Sequence, residues 1–398
     1  MSHHVAVIGS GPAGLMAAEA LASAGCRVSI WEKRKGPAWK LYIAGGSGLN
    51  ITHNLPLDAF AAHYTGPQDF WLSCLGAFDP QAWLAFIEKE IGIGTFLGTS
   101  QRYFVETMHA AKLVRAWRRR LESRGVRFML DHPCTDFTPR EDGRWNLWRD
   151  GQLAEDSLSF DALCFCLGGG SYETEPLRWP ALFSSKGIAC EEILPSNTGY
   201  EVDWPLPFLK ETEGQPLKNI SLRSSRGERR GDLMITAYGL EGTPIYFLGE
   251  VGEVTIDLKP DLSLEAVIKK LGQSKENFSP LRRAQKQLGL CPAAKALLFH
   301  CADAEMKQDL SMMAAGIKEF RLRLKQPRPL SESISSRGGI AWSMLDQKLM
   351  FKSLPGVFAA GEMIAWDAPT GGFLIQACVS QGRWAAQGIL SYLSTRAE

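Results

Sequence analysis

The chain has 398 residues, 45% of them hydrophobic and 22% charged, with a net charge of +1. That length suits two or three domains, and the near-zero charge argues against a nucleic-acid or acidic-membrane partner. No apolar run reaches the roughly 18 residues of a spanning helix and no basic segment precedes the short apolar N-terminus, so a cytoplasmic protein with no membrane contact is expected.

His4–Ile8 reads as a short apolar strand, Gly9–Gly14 as a turn and Pro12–Ala24 as a helix closed by Gly25. Arg27–Glu32 reads as a second strand. This is a βαβ unit, which calls for parallel strands and a right-handed crossover. Residues 35–55 read as a long glycine-bearing loop of functional type. Helices are predicted over Asp79–Ile91 and Ala110–Arg124, the second with Leu113, Val114, Trp117 and Leu121 on one face. Its arginines Arg115, Arg118, Arg119 and Arg120 read as a solvated face before a nucleic-acid patch.

Strands are expected at Arg127–Leu130, Trp145–Trp148 and Leu158–Leu167. Residues 192–262 show short β-like runs, Leu233–Tyr238, Ile245–Leu248 and Val254–Leu258, and residues 263–325 look helical. Gly356–Glu362 returns to a strand ending in glycine and an acid, followed by a long helix over Leu374–Leu393. The nine cysteines include no C-x-x-C pair, which fits reduced thiols and neither a disulfide framework nor a metal site. Cys164 and Cys166 share one face of a strand and read as small core residues.

The chemistry starts at Gly9-Ser10-Gly11-Pro12-Ala13-Gly14, a G-x-G-x-x-G turn after a strand and opening a helix. Gly9 permits the tight turn, Gly11 leaves room for a pyrophosphate, and Gly14 lets helix and strand pack closely. Pro12 and Ala13 begin the helix whose free N–H groups face the anion. Glu32, ending the second strand, suits ribose hydroxyls and repels a 2′-phosphate, so FAD or NAD is favoured over NADP. The C-terminal segment decides for FAD. Gly361-Glu362 ends a buried-type strand, and Thr370-Gly371-Gly372-Phe373 stands at the start of the last helix, as a flavin end requires. Leu167-Gly168-Gly169 adds a third strand-end glycine turn.

Further segments resemble one family. Lys40-Leu41 with Gly45–Asn54, Arg102-Tyr103-Phe104, Leu233–Pro244, Gly338-Gly339-Ile340, and Gly356–Glu362 with Asp367 and Thr370–Gln376 resemble, in order, the motifs of the HI0933-like flavoproteins. These are also called YhiN or BaiN-like NAD(P)/FAD-dependent oxidoreductases. Leu49 and Gly48 stand where the family usually has Cys and Arg, Leu374-Ile375 replaces Asn-Leu, and Val105 replaces Pro, as in a divergent branch. The resemblance implies an α/β fold: a Rossmann-like FAD domain over 1–191 and 338–398, an inserted β-barrel-like domain over 192–262 and 326–337, and a helical subdomain over 263–325. It also implies FAD contacts at Gly9, Gly11, Ala13, Gly14, Glu32, Lys33, Lys40, Asn50, Gly168, Gly361, Glu362, Gly371, Gly372 and Phe373.

The expected function is therefore an FAD-dependent oxidoreductase acting on an unidentified small molecule, an apolar one among the candidates, by hydride or electron transfer at the flavin. With only one G-x-G-x-x-G, either a nicotinamide would enter as a transient reductant or another donor is used. Arg102 and Tyr103 are the candidate substrate-contacting pair, the arginine suited to a carboxylate or to reduced flavin. His53 and His109 are candidate proton donors, with structural roles the blander reading. Asp367 is expected to orient its loop. Of the 12 tryptophans and 19 phenylalanines, several are expected to line a substrate cleft and most to pack a core. Two further readings stay open: an FAD-binding sensor or interaction protein, and a tRNA-modifying flavoenzyme, which the net charge disfavours.

Overall fold

The computed structural model describes residues 2–45, 48–153, 159–273 and 278–396. Gly46 and Ser47 of the glycine loop and Leu158 of the expected strand lie outside the described residues. Contacts divide the chain into two units, Met1–Leu194 with Ser336–Glu398, and Pro195–Ser335.

The first unit is built on five parallel strands. In spatial order they are Val357–Ala359, Ala162–Phe165, His4–Ile8 (β1), Arg27–Glu32 (β2) and Arg127–Leu130. Numbered along the chain this is the order 3-2-1-4-5 read from the other edge, the doubly wound arrangement whose switch point lies between β1 and its neighbour Ala162–Phe165. Both strands are buried along their whole length, as parallel strands covered on two faces must be.

The helix Pro12–Ser23 (α1) follows β1, and Gly25 beyond its end adopts φ +85°, where a side chain would be strained. The last helix, Phe373–Thr395, packs along α1. A small antiparallel sheet orders Asn50–His53, Arg102–Val105 and Thr95–Leu97. The first of these strands and a helix at Trp39–Ala44 occupy a segment that reads from sequence as loop throughout. Asp79–Ile91 is helical but changes type, from an α-helix at Pro80–Ala85 to a wider turn at Phe86–Ile91. Trp31, Trp71, Trp83, Trp117 and Trp366 are all fully buried in this unit, which assigns them to packing.

The second unit holds a six-stranded antiparallel sheet running from Tyr200–Glu201 at one edge to Phe320–Leu324 at the other. The sheet curls until its edges meet: the Glu201 amide donates to the Gln326 carbonyl at 3.0 Å and the Lys325 amide to the Glu201 carbonyl at 2.8 Å. Phe320–Leu324 is thus a strand where sequence suggests helix. Its alternation buries Phe320 and Leu324 and exposes the arginines between them. Ile245–Leu248, read as a strand, belongs to the helix Thr243–Leu248, which Pro244 starts. The helices Leu264–Gly272, Pro292–Cys301 and Leu310–Lys318 share one apolar core with the sheet.

Candidate functional site

Three strand-end turns meet at the switch point of the parallel sheet. Gly9 has φ +103°, and a Cβ there would lie 2.2 Å from the Cys166 carbonyl oxygen. A Cβ at Gly14 would lie 2.0 Å from the Gly9 carbonyl oxygen, so helix and strand approach through bare backbone. At Gly11, by contrast, a Cβ would meet nothing within 4 Å. The space over the start of α1 is therefore open, while the glycines beneath it are tightly packed. Pro12 and Ala13 are the first helical residues, and the amides of a first turn have no partner inside their helix. An open space facing free amides is the environment a dinucleotide pyrophosphate needs.

Glu32 ends β2 beside this turn. One carboxylate oxygen accepts from the Ser10 amide at 3.1 Å and from the Ser10 hydroxyl, and the other accepts from the Arg34 amide at 2.9 Å. The acid is thus fixed in place by the second residue of the glycine motif and by the Arg34 amide. Lys33 points outward and pairs with Glu173 at 3.1 Å, and Arg34 pairs with the same carboxylate at 3.0 Å. Arg34 also stacks on Trp39, 3.7 Å from the ring centre. Burial works against the charge on Glu173, but the two cations hold its carboxyl below the usual range.

Lys40 ties the second and third turns together. Its Nζ donates to the Gly169 carbonyl at 2.8 Å and to the Ser171 hydroxyl at 3.2 Å, and it lies 3.7 Å from Glu362 Oε2. A Cβ at Gly168 would point at Lys40 Nζ, 3.7 Å away. Glu362 Oε1 also accepts from the Ser336 amide at 3.2 Å, and the Ser336 hydroxyl accepts from the Gly170 amide at 2.9 Å. Gly361 has φ +86°, and its Cβ would stand 3.0 Å from that of Ala13.

The last helix begins at the Gly371-Gly372 pair, with φ of +122° and +96°. A Cβ at Gly372 would come within 2.6 Å of the Thr52 backbone, so this glycine is dictated by the strand Asn50–His53 passing against it. Asn50 opens that strand opposite Phe104, and His53 stands opposite Arg102. A Cβ at Gly371 would lie 3.3 Å from Arg102 Nε. Phe373 is packed by His53 at 5.3 Å, His63 at 4.5 Å and Phe60 at 4.8 Å between ring centres, and its carbonyl accepts from the Tyr64 hydroxyl at 2.7 Å.

The two candidate substrate residues part company. Arg102 stands beside Gly371 and His53, whereas Tyr103, next along the strand, packs against the apolar core of the unit. His109 is exposed at the start of the helix Ala110–Ser123, with no capping bond from its side chain. Asp367 orients its own loop: one oxygen accepts from the Ala368 amide, and its amide and carbonyl bond to Thr65. In the basic helix, Arg118 pairs with Glu122, and Arg120 with Glu19 and Glu90. Leu49 and Val105, which replace the usual Cys and Pro, are buried core residues.

Several partners escape a sequence reading. Ser10 is the first variable position of the glycine motif. Ser336 precedes the Gly338-Gly339 pair with no motif of its own. Gln381, fully buried in the last helix, accepts from the Gly361 amide at 2.8 Å while its Nε2 has no partner among the described residues. Its only sequence signal is a polar residue on the packed face of a helix. Among the described residues no cluster of His, Cys, Asp and Glu forms a metal site, and no helix is long and apolar enough to cross a membrane.

Residues 3–388 match the family model described as HI0933-like protein Rossmann domain. Among solved structures, the 3-ketosteroid Δ1-dehydrogenase of Sterolibacterium denitrificans superposes with a TM-score of 0.53 at 12% identity, covering 98% of this chain and 99% of that one. The 3-ketosteroid-Δ4-(5α)-dehydrogenase of Rhodococcus jostii RHA1 gives 0.52 at 13% identity, covering 98% and 97%. At such identities the likeness is one of fold.

Proposed function

Because this chain belongs to the HI0933-like family of Rossmann-domain flavoproteins, we propose that it holds one FAD across the three glycine turns and oxidises or reduces a small organic molecule at the flavin. The observation that carries this reading is the contrast at the first turn: Gly9 and Gly14 are closed by backbone, and Gly11 alone is open. A glycine-rich turn that served only packing would have no reason to leave that space over a helix N-terminus.

In this reading Gly11, Pro12, Ala13 and Gly14 receive the pyrophosphate, and Glu32, held by Ser10, receives the ribose hydroxyls. Lys40 and Glu362 brace the turns at Gly168 and Gly361 around the middle of the cofactor. Gly371, Gly372 and Phe373 place the start of a 23-residue helix at the flavin end, where a helix N-terminus favours negative charge. Asn50 lies on the strand that borders this end, and Lys33 on the rim of the adenosine end. Bound there, FAD supplies two-electron redox chemistry at its ring system. Electrons would come from NADH or NADPH visiting the site transiently.

The test is the visible spectrum of the purified protein, then anaerobic addition of NADH and of NADPH. Flavin absorption that bleaches with one nicotinamide supports the oxidoreductase and names its donor. Flavin that resists both moves the reading to another donor or to an FAD-binding sensor. Absence of flavin after incubation with FAD sinks it.

A further inference from the structure

We propose that the flavin end is built for an organic anion, and that Arg102 binds the carboxylate of an apolar or aromatic carboxylic acid. This rests on the flavoprotein reading above and names the substrate class of that same site.

The argument begins with what Arg102 lacks. Its guanidinium is half-buried, yet it has neither a hydrogen-bond acceptor nor a carboxylate partner among the described residues. Three other half-buried arginines of this unit, Arg120, Arg144 and Arg34, pair with Glu19, Asp161 and Glu173, while Arg383, which also has no carboxylate among the described residues, lies over the Phe78 ring. Withdrawing a cation from water without a counter-charge costs free energy, and burial alone holds its pKa below the ordinary arginine value. A cation kept in that condition at the mouth of a proposed cofactor site is poised for an anion that arrives from outside.

The neighbours point the same way. His53, across the strand pair, has a buried Nδ1 with no well-aligned partner among the described residues. Burial first, then Arg102 and His63, hold His53 below the usual histidine range against an opposing contact from the Asn54 backbone, and so favour its neutral form. A neutral imidazole beside an arginine adds hydrogen-bonding capacity without a second full charge. The wall behind them is aromatic: Phe373 with His53 and His63 at 5.3 and 4.5 Å, backed by Phe60 and Tyr64. A planar fork of donors against an aromatic wall matches a flat carboxylic acid, which the fork grips by two parallel bonds.

Benzoate and its neutral isostere benzamide separate the idea from its rivals. The purified flavin-loaded protein is titrated with each, and binding is read both by calorimetry and by perturbation of the flavin absorption. Benzoate is expected to bind saturably and to displace the flavin bands, benzamide at least roughly tenfold more weakly, and Arg102→Gln to lose benzoate binding by roughly tenfold or more while keeping its flavin. Arg102→Lys should recover part of the loss, since it restores the charge without the fork.

Equal affinity for benzamide, no benzoate binding at all, or an Arg102→Gln protein that binds benzoate as before would each overturn the proposal. A variant whose flavin potential shifts while benzoate affinity stands would reassign Arg102 to the cofactor and overturn it too. Failure of the flavoprotein reading is seen separately, as a spectrum with no flavin. Calorimetry with benzoate would still decide whether Arg102 takes a carboxylate.

Discussion

Gly382 on the last helix lies against Ala13 on the first so closely that a Cβ at position 382 would come within 2.1 Å of the Ala13 carbonyl oxygen. Residues at opposite ends of the chain thus meet backbone to backbone, immediately beneath the first glycine turn. The neighbouring Gln381 reaches the Gly361 amide at 2.8 Å. The helix that opens at Gly371-Gly372 and the helix that opens at the first glycine turn therefore meet through a small-residue contact at this point.

Gly382→Ala should separate these helices. Overpacking of this kind costs about 1–3 kcal/mol, and because the displacement falls under the turn it should weaken FAD retention more than an equal loss of stability elsewhere. Thermal unfolding and flavin content after gel filtration check both. A variant as stable and as flavin-rich as the parent would mean that the contact is not needed.

Glu32 is held by Ser10 through both amide and hydroxyl, and by the Arg34 amide. On the proposed reading, its replacement by alanine removes the acceptor for ribose hydroxyls and leaves those donors unpaired. FAD binding to the stripped apoprotein should weaken about tenfold, roughly 1.4 kcal/mol. Ser10→Ala should act in the same direction by a smaller factor, because it loosens the acid without removing it. Fluorescence titration with FAD gives both constants, and unchanged affinity in Glu32→Ala would remove Glu32 from the cofactor site.

How much of this was legible in the sequence depends on the range of the contacts involved. The β1–turn–α1–β2 unit is local, so its glycines, Pro12 and the alternation of Arg27–Glu32 announce it with its parallel, right-handed crossover, whereas the full order 3-2-1-4-5 rests on pairings between strands far apart in the sequence, which no local pattern carries. Ile245–Leu248 misled because a four-residue apolar run has no period long enough to separate helix from strand. Phe320–Leu324 misled because its alternating arginines follow directly on a run of helices. The network around Lys40 was half visible: Lys40 and Glu362 stand in motifs, but Ser336, 166 residues from the Gly170 amide it meets, has no local signature. The isolation of Arg102 was beyond reach, since a sequence shows an arginine and never the lack of a partner.

Glu19 gives a test of the scaffold alone. It is almost wholly buried in α1, and its Oε1 receives Arg120 at 3.0 Å and lies 3.5 Å from Arg124 Nε, which ties α1 to the helix Ala110–Ser123. Oε2 has no partner among the described residues. Glu19→Gln keeps the shape and removes the charge, so Arg124 loses its counter-ion and Arg120 keeps only Glu90. Hydrogen bonds to charged groups contribute about 1.5–3 kcal/mol, and the arginines regain some water because they are partly exposed, so a loss near the lower end is expected in urea unfolding. Flavin content should stay unchanged. A loss of flavin at unchanged stability would contradict a purely structural role.

His4 makes the fold sensitive to acid. Arg27 has only donors, so its contact with His4 Nδ1 at 2.8 Å requires Nδ1 to accept, which leaves the ring proton on Nε2 to donate to the Ser29 hydroxyl at 3.0 Å. A second ring proton would face the guanidinium. Burial first, then Arg27 and Arg144, lower the pKa of His4 to about 4. The unfolded histidine titrates near its ordinary value of 6.5. Below that pH the unfolded chain takes up a proton that the folded chain refuses, so stability is fully present above it and falls as pH drops toward 4. From pH 7.5 to 5 this one site removes at most about 2 kcal/mol. His4→Gln keeps an acceptor for Arg27 and a donor for Ser29 without a titrating group. Its urea midpoint should therefore fall less than the parent's between those two pH values. Parallel losses in the two proteins would show that His4 carries none of the acid sensitivity.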